Sequence, residues 1–103
     1  MAAIVRWTTP IIVYKPSQAE VNDIEEIYVV LRQGGQVKIE KGIEEASKDE
    51  DGFTWQFSQA ETGILDDSSL IKVQIDYKTA SGQRYTTLPV TFEPLGSAIN
   101  EEI

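Results

Sequence analysis

Apolar and polar residues alternate along two stretches of this chain, and such alternation predicts strands with one buried face. The apolar positions of residues 53–58 carry the heaviest apolar load in the sequence and are Phe53, Trp55 and Phe57. Residues 70–78 form the most regular run, and its alternating apolar set is Ile71, Val73, Ile75 and Tyr77. We predict that both sets face the core, with the polar residues between them facing solvent.

Further segments carry strand-type residues and are predicted to be extended: residues 4–15, 27–31, 37–41 and 84–92. In the first of these the strand tract is residues 11–14, and Pro10 fits the start of an edge strand. Residues 27–31 are apolar on both faces, which predicts a central strand. Pro89 lies inside the last segment and predicts an edge position or a bulge near residues 87–89, because proline has no N–H for the ladder.

Turn residues separate these strands. Gly34-Gly35 predicts a two-residue hairpin, because glycine readily adopts positive φ, and residues 80–83 predict a second hairpin. Residues 17–26 are polar and are expected to form a loop or turn. The charged residues 42–52 are expected to form a mobile surface connection closed by a turn.

A short helical turn is predicted after the aromatic strand. Ser58 and Glu61 have the spacing of a capping box, in which each side chain bonds the backbone of the other residue. We expect Gly63 to stop this turn and Ile64-Leu65 to fold under the sheets. At the other end of the chain, residues 94–103 are predicted to be a flexible tail.

Six predicted strands without a long helix indicate an all-β fold. We predict a two-sheet antiparallel β-sandwich of immunoglobulin-like type, and a small open β-barrel is the alternative. The chain of 103 residues has the length of one domain, so residues 1–103 are expected to share one core.

Composition narrows the possible functions. The formal charge is −8, from 9 basic and 17 acidic residues, which opposes binding to nucleic acid or to an anionic membrane. The chain has no cysteine and no histidine, so it lacks thiolate chemistry and the usual general base near neutral pH. No nucleophile or phosphate-loop motif occurs. We therefore predict no enzymatic activity, no catalytic residues and no cofactor.

Acidic residues cluster without forming a recognisable site. Asp49-Glu50-Asp51-Gly52 is only a fragment of a calcium loop, so no metal ligands are assigned. A glycosidase needs two carboxyl groups that face each other across a sugar, whereas neighbours on an extended segment point in opposite directions. This argument applies to the adjacent pairs Glu25-Glu26, Glu44-Glu45 and Asp66-Asp67.

Aromatic residues allow one alternative function. Of the tryptophan and tyrosine residues, Trp7 and Tyr28 are expected to be the most exposed; the others are Tyr14, Trp55, Tyr77 and Tyr85. An exposed pair, Trp7 and Tyr28, would suit a carbohydrate-binding module that stacks on sugar rings. We expect Trp55 and Tyr77 to be buried and the remaining aromatic residues to lie in the core or at a partner interface. No ligand-binding residue is assigned.

The N-terminal segment Met1–Trp7 lacks the charge and long apolar run of a secretory signal. No apolar run approaches the roughly 20 residues that span a bilayer. From the sequence alone we expect the protein to be made and kept in the cytoplasm, or to leave it by a route other than a cleaved signal, without insertion into a membrane.

Four short motifs, in order, resemble small phage and prophage proteins of Gram-positive bacteria. The first is Arg-x-x-Thr-Pro, which ends here in Trp7-Thr8-Thr9-Pro10, and the second is the Tyr-Val-x-Leu-x-Gln-Gly pattern within residues 28–35. The third is Ser58-Gln59-Ala60-Glu61-Thr62, and the fourth is Val73-Gln74-Ile75 followed by Ser81-Gly82-Gln83. The resemblance spans roughly residues 6–92.

The resemblance implies an immunoglobulin-like sandwich encoded among virion or tail genes. It implies a structural or accessory role through protein–protein contacts, with other phage structural proteins or a second copy as partner. It also implies that the protein moves from the host cytoplasm into the virion. Residues 58–62 are expected to form a capped turn that crosses between the sheets.

Overall fold

Two β-sheets lie face to face in this computed structural model, which describes residues 2–103. The strands are β1 (Ala3–Val5), β2 (Ile11–Tyr14), β3 (Ile24–Gln33), β4 (Gln36–Lys41), β5 (Ser47–Lys48), β6 (Phe53–Gln56), β7 (Ile71–Thr79), β8 (Arg84–Thr86) and β9 (Val90–Leu95). The helical elements are α1 (Gln59–Gly63) and two 3₁₀ turns, Val21–Asp23 and Ile43–Glu45.

The larger sheet has the strand order β1-β9-β7-β3-β4, with β8 also paired to β7, and the smaller sheet has the order β2-β6-β5. The neighbours are antiparallel except for β1 and β9, which are parallel. The predicted all-β sandwich of two sheets is confirmed, and the parallel β1–β9 pair is the one exception to its predicted antiparallel pairing among residues 2–103. Within residues 2–103 no pairing joins the two sheets, so the alternative small barrel does not form.

The predicted core positions are buried. Phe53 and Trp55 are 0% exposed and Phe57 is 1% exposed. The inward set on β7 is also buried and consists of Ile71, Val73, Ile75 and Tyr77. Burial of a large apolar side chain stabilises a fold by about 1.5–3 kcal/mol. The aromatic strand β6 therefore lies at the centre of the core, as its alternation predicted.

The β3–β4 hairpin turns at Gly34 and Gly35, whose φ values of 56° and 80° confirm the predicted glycine turn. Strand β3 is central, between β4 and β7, as predicted, but it begins earlier than expected, at Ile24. Ile24 and Val21 are buried, and the 3₁₀ turn over Val21–Asp23 leads the chain directly into the strand.

Residues 42–52, predicted to be a mobile connection, instead contain a 3₁₀ turn and strand β5. Ile43 and Ala46 pack against the core, and β5 pairs with β6. The indole Nε1 of Trp55 donates to the carbonyl oxygen of Gly42 at 3.0 Å. These contacts attach the connection to the sandwich despite its high charge.

Gly63 ends α1, but it does so without positive φ, and the next residue, Ile64, remains in the right-handed helical region. Leu65 is fully buried as predicted, whereas Ile64 is 55% exposed, so the prediction that both residues fold under the sheets is wrong for Ile64. Helix α1 joins β6 of the smaller sheet to β7 of the larger sheet, which is the crossing expected for residues 58–62.

The last predicted strand is divided at Pro89 into β8 and β9, as its proline indicated. Strand β9 continues to Leu95, because Pro94 and Leu95 pair with Ile4 and Val5 of β1. The first two residues of the predicted flexible tail therefore belong to the sheet. At the end of the chain, the backbone N–H and C=O of Ile103 bond the Gln59 side chain.

Candidate functional site

The free edge of β2 is the candidate functional site. Strand β2 pairs with β6 on one side, and among residues 2–103 no strand pairs with its other side. Ile12 and Tyr14 pack against the core, while Ile11 and Val13 point outward and are 59% and 54% exposed. Because residues 10–14 contain no charged side chain, this edge is both apolar and uncharged.

The backbone of β2 alternates between the two sides of the strand. The Pro10 carbonyl oxygen accepts from the Phe57 N–H at 3.0 Å. In an antiparallel ladder this places Pro10, Ile12 and Tyr14 at the positions that bond β6. The N–H and C=O groups of Ile11 and Val13 therefore point to the free edge, where another strand can bond them.

Three other strand edges, those of β5, β4 and β1, carry features that oppose strand pairing. Strand β5 has only two residues, and its Lys48 is exposed beside the acidic residues 49–51. Strand β4 carries Lys38, Glu40 and Lys41, and its register shifts opposite Leu31 and Arg32. Strand β1 is three residues long, with Ala3 as its exposed side chain. Strand β2 has neither charge nor bulge.

An apolar cavity of about 120 Å³ opens between the two sheets beside β2. Its lining is drawn from both sheets and from α1, and includes Ile4, Pro10, Ile11, Ile12, Phe57 and Phe92. The lining includes residues of both β1 and β2, which are edge strands of the two sheets. An occupant of the β2 edge would therefore lie beside this cavity.

Helix α1 holds the segment that leads into β2. The Ser58–Glu61 capping box is confirmed, with Oγ of Ser58 accepting from the Glu61 N–H at 3.1 Å and Oε1 of Glu61 accepting from the Ser58 N–H at 2.8 Å. Thr62 is fully buried; its hydroxyl accepts from the Thr8 N–H and donates to the Thr8 carbonyl oxygen. Two of the motifs that carried the resemblance are thus in direct contact, immediately before β2.

Burial alone would raise the pKa of Glu61. The Ser58 backbone N–H and the Lys41 ammonium group, whose Nζ lies 3.0 Å from Oε1, outweigh it and hold this pKa below its usual value. Glu61 is therefore an ionised carboxylate that accepts from the Ser58 N–H and pairs with Lys41. It acts as a structural group at the start of α1.

Two adjoining grooves surround Tyr28 on the outer face of the larger sheet, with volumes of about 300 and 360 Å³. They share Tyr28, Glu26 and Glu40. The Tyr28 hydroxyl donates to Oε1 of Glu26 at 3.1 Å, and this bond, together with the negative charge of Glu26, raises the pKa of Tyr28. The second groove is lined by acidic residues without a basic one, whereas the first also contains Lys78 and Arg84. The hydroxyl of the shared Tyr28 is bonded to a carboxylate.

The predicted pair of exposed aromatics does not form a shared surface. Tyr28 is 38% exposed, whereas Trp7 is half-buried with its indole ring against Gly63. The two residues line none of the same grooves. Trp55 and Tyr77 are buried as predicted, and Tyr77 packs against Tyr14 and Tyr85 with ring centroids 5.9 and 5.2 Å away.

The acidic clusters bond to nearby backbone. Oδ1 of Asp49 accepts from the N–H groups of Asp51 and Gly52, which closes the loop before β6. Oε1 of Glu45 accepts from the Gly42 N–H, and Asp66 accepts from Ser68. The part of the chain that the structure describes contains no group of three or more acidic side chains placed to hold a metal ion.

Gln33 is a buried polar residue that the sequence did not reveal, and it connects the end of β3 to the backbone of residues 66–69. Gln33 is 2% exposed; its Nε2 donates to the carbonyl oxygens of Asp66 and Ser69, and its Oε1 accepts from the Asp66 N–H. Gln33 directly precedes the glycine turn. Its inward position continues the parity of Ile27, Val29 and Leu31, which was the available signal.

None of the helices described in residues 2–103 has both the length and the apolar character needed to cross a membrane. Comparison with known proteins found no matching family model, no matching curated protein and no matching solved structure.

Proposed function

We propose that this protein is a non-catalytic structural or interaction module that works through protein–protein contacts. On the resemblance of its four motifs, we propose an accessory role in the virion or tail of a phage or prophage. Its partners would be other structural proteins of the particle or further copies of itself. The protein would be made in the host cytoplasm and then incorporated into the particle.

The uncharged free edge of β2 is the observation that supports this proposal best. An exposed strand edge with apolar side chains is a template for another strand, and proteins that act as isolated monomers usually protect such edges with charge, shortness or bulges. Here β4 and β5 have those protections, while β2 exposes Ile11 and Val13. The sequence also lacks the histidine and cysteine that most small catalytic sites use.

Particle association tests the proposed setting. Prophage induction in the bacterium that carries the gene, followed by density-gradient purification, is expected to bring the chain into the particle fraction in constant proportion to the other structural proteins. A host cytoplasmic protein followed in the same gradient controls for contamination. Purified particles that lack the chain would contradict the assignment to the virion.

Cross-linking of those particles then locates the contacts. Lys15 directly follows β2, and Lys38 and Lys48 lie on the edges of β4 and β5, so an amine-reactive cross-linker reports on three edges separately. Cross-links from Lys15 that exceed those from Lys38 and Lys48 are expected if β2 is the working surface. Cross-links confined to Lys38 and Lys48 would move the contact to the opposite side of the sandwich.

A further inference from the structure

We propose that β2 pairs with β2 of a second copy, antiparallel and across a twofold axis, so that the two three-stranded sheets become one continuous sheet. This inference rests on the proposed function, because it names the partner and the surface of an interaction module. It starts from the free backbone groups of Ile11 and Val13. A strand whose outward groups are unbonded gains hydrogen bonds when a second strand is added.

The sequence of β2 favours one register. When Ile12 lies opposite Ile12 of the second copy, Ile11 lies opposite Val13 of that copy, and Val13 opposite its Ile11. These are the residues whose N–H and C=O groups face the free edge, so each pair exchanges two hydrogen bonds in the antiparallel pattern. The outward side chains form pairs of β-branched residues on one face of the joined sheet.

The prolines that flank β2 are compatible with this pairing. Pro10 and Pro16 have the same parity as Ile12 and Tyr14, so in an extended strand their nitrogen atoms face β6. The missing N–H groups therefore remove no donor from the free edge. Pro10 precedes the strand and Pro16 follows it, so the two prolines limit the paired segment to the few residues between them.

Charge favours this edge over the rest of the surface for contact between copies. Each copy has a formal charge of −8, so most surfaces of two copies repel each other. Residues 8–14 are uncharged, and in the proposed register Lys15 lies opposite Thr9 of the second copy. No like charges face each other along the paired segment.

A twofold contact of this kind closes on itself, because both copies use the same strand and no free β2 edge remains. It also brings the second copy beside the apolar cavity that Ile11 and Ile12 line. A four-residue strand gives a small interface, which belongs with weak, concentration-dependent associations. The expected species is a dimer in rapid exchange with the monomer.

Sedimentation equilibrium from about 10 μM to about 1 mM covers the affinities expected of a weak interface. The natural chain is expected to pass from monomer to dimer without larger species. Val13→Lys places charge on the edge and is expected to raise the dimer Kd about tenfold or more. Val37→Lys is the matched control: Val37 is 52% exposed on the edge strand β4, and its substitution is expected to leave the Kd unchanged.

Amide hydrogen exchange gives a second readout on the natural chain. The amides of Ile11 and Val13 are expected to gain protection as concentration rises, while those of Ile12 and Tyr14 are protected throughout by β6. A monomer at 1 mM, a dimer weakened by Val37→Lys but not by Val13→Lys, or concentration-independent exchange at Ile11 and Val13 would each overturn the pairing. The particle-association test above does not depend on these measurements, so either proposal can fail alone.

Discussion

The indole ring of Trp7 lies directly on Gly63 at the end of α1. A Cβ atom at position 63 would fall 2.4 Å from Cζ3 of Trp7, well inside contact distance. Trp7 has a positive φ of 64°, a conformation that is uncommon outside glycine, and the neighbouring Thr8 and Thr62 bond each other. Gly63 is therefore required for this close approach, which orients the chain as it enters β2.

Gly63→Ala is expected to lower the free energy of unfolding by about 1–3 kcal/mol, because the added methyl group must displace the indole ring. Chemical denaturation followed by circular dichroism measures the change. In a Trp7→Ala background the same substitution is expected to cost less than about 0.5 kcal/mol, because the obstructing ring is absent. An equal cost in both backgrounds would show that the ring contact is not the cause.

Gln33→Leu is expected to destabilise the fold by about 2 kcal/mol or more, because backbone groups of Asp66 and Ser69 lose their partners while the side chain remains buried. Urea titration gives the free energy of unfolding. The control is Gln36→Leu on the exposed side of the same hairpin, expected within about 0.5 kcal/mol of the natural chain. Equal effects of both substitutions would argue against the three-bond contact.

Trp55→Ala is expected to cost about 3–5 kcal/mol, because a fully buried aromatic residue is replaced by a cavity. Trp55→Phe is expected to cost less, since most of the volume remains while the bond to the Gly42 carbonyl oxygen is lost. Thermal and chemical unfolding measure both changes. A loss under about 1 kcal/mol for Trp55→Ala would contradict its place at the centre of the core.

Acid is expected to weaken the hold of Glu61 on the start of α1. Its pKa in the folded chain is lower than the ordinary value of 4.5. A lowered folded pKa contributes stability above the unfolded pKa, and that contribution disappears as pH falls through the folded value. The natural chain should therefore be more stable than Glu61→Gln at pH 7, and the difference should shrink below about pH 4.5.

Comparison of the two unfolding curves across pH 2–7 tests this directly. Glu101→Gln removes an exposed carboxylate near the end of the chain and controls for the loss of one negative charge. A constant difference between the natural chain and Glu61→Gln at all pH values would assign the effect to side-chain shape rather than to charge.

Local pattern was sufficient for the parts of the fold that depend on neighbouring residues. The period of two identified Phe53, Trp55 and Phe57 as inward-facing, since successive side chains on a strand point to opposite sides. The glycine pair identified the β3–β4 turn, because its φ values are positive. The capping box likewise involves backbone groups only three residues apart.

The candidate site could not be assigned in the same way. Residues 11–14 were recognised as a strand, but whether Ile11 and Val13 are exposed depends on which strand lies beside them. Trp7 and Tyr28 were expected to form an exposed aromatic pair. This expectation did not hold for Trp7, because Gly63, more than fifty residues away in the sequence, allows the indole ring to pack on α1.

The sequence by itself determined the strand character of the chain, the inward faces of β6 and β7 and the absence of cysteine and histidine, because these follow from residue type and local spacing. The tertiary structure alone decided the parallel β1–β9 pair, the contact of Gln33 with residues 66–69 and the pairing of β2 with β6 that leaves its other edge free. These features require distant segments to meet, and a period along one strand carries no information about its neighbour in the sheet.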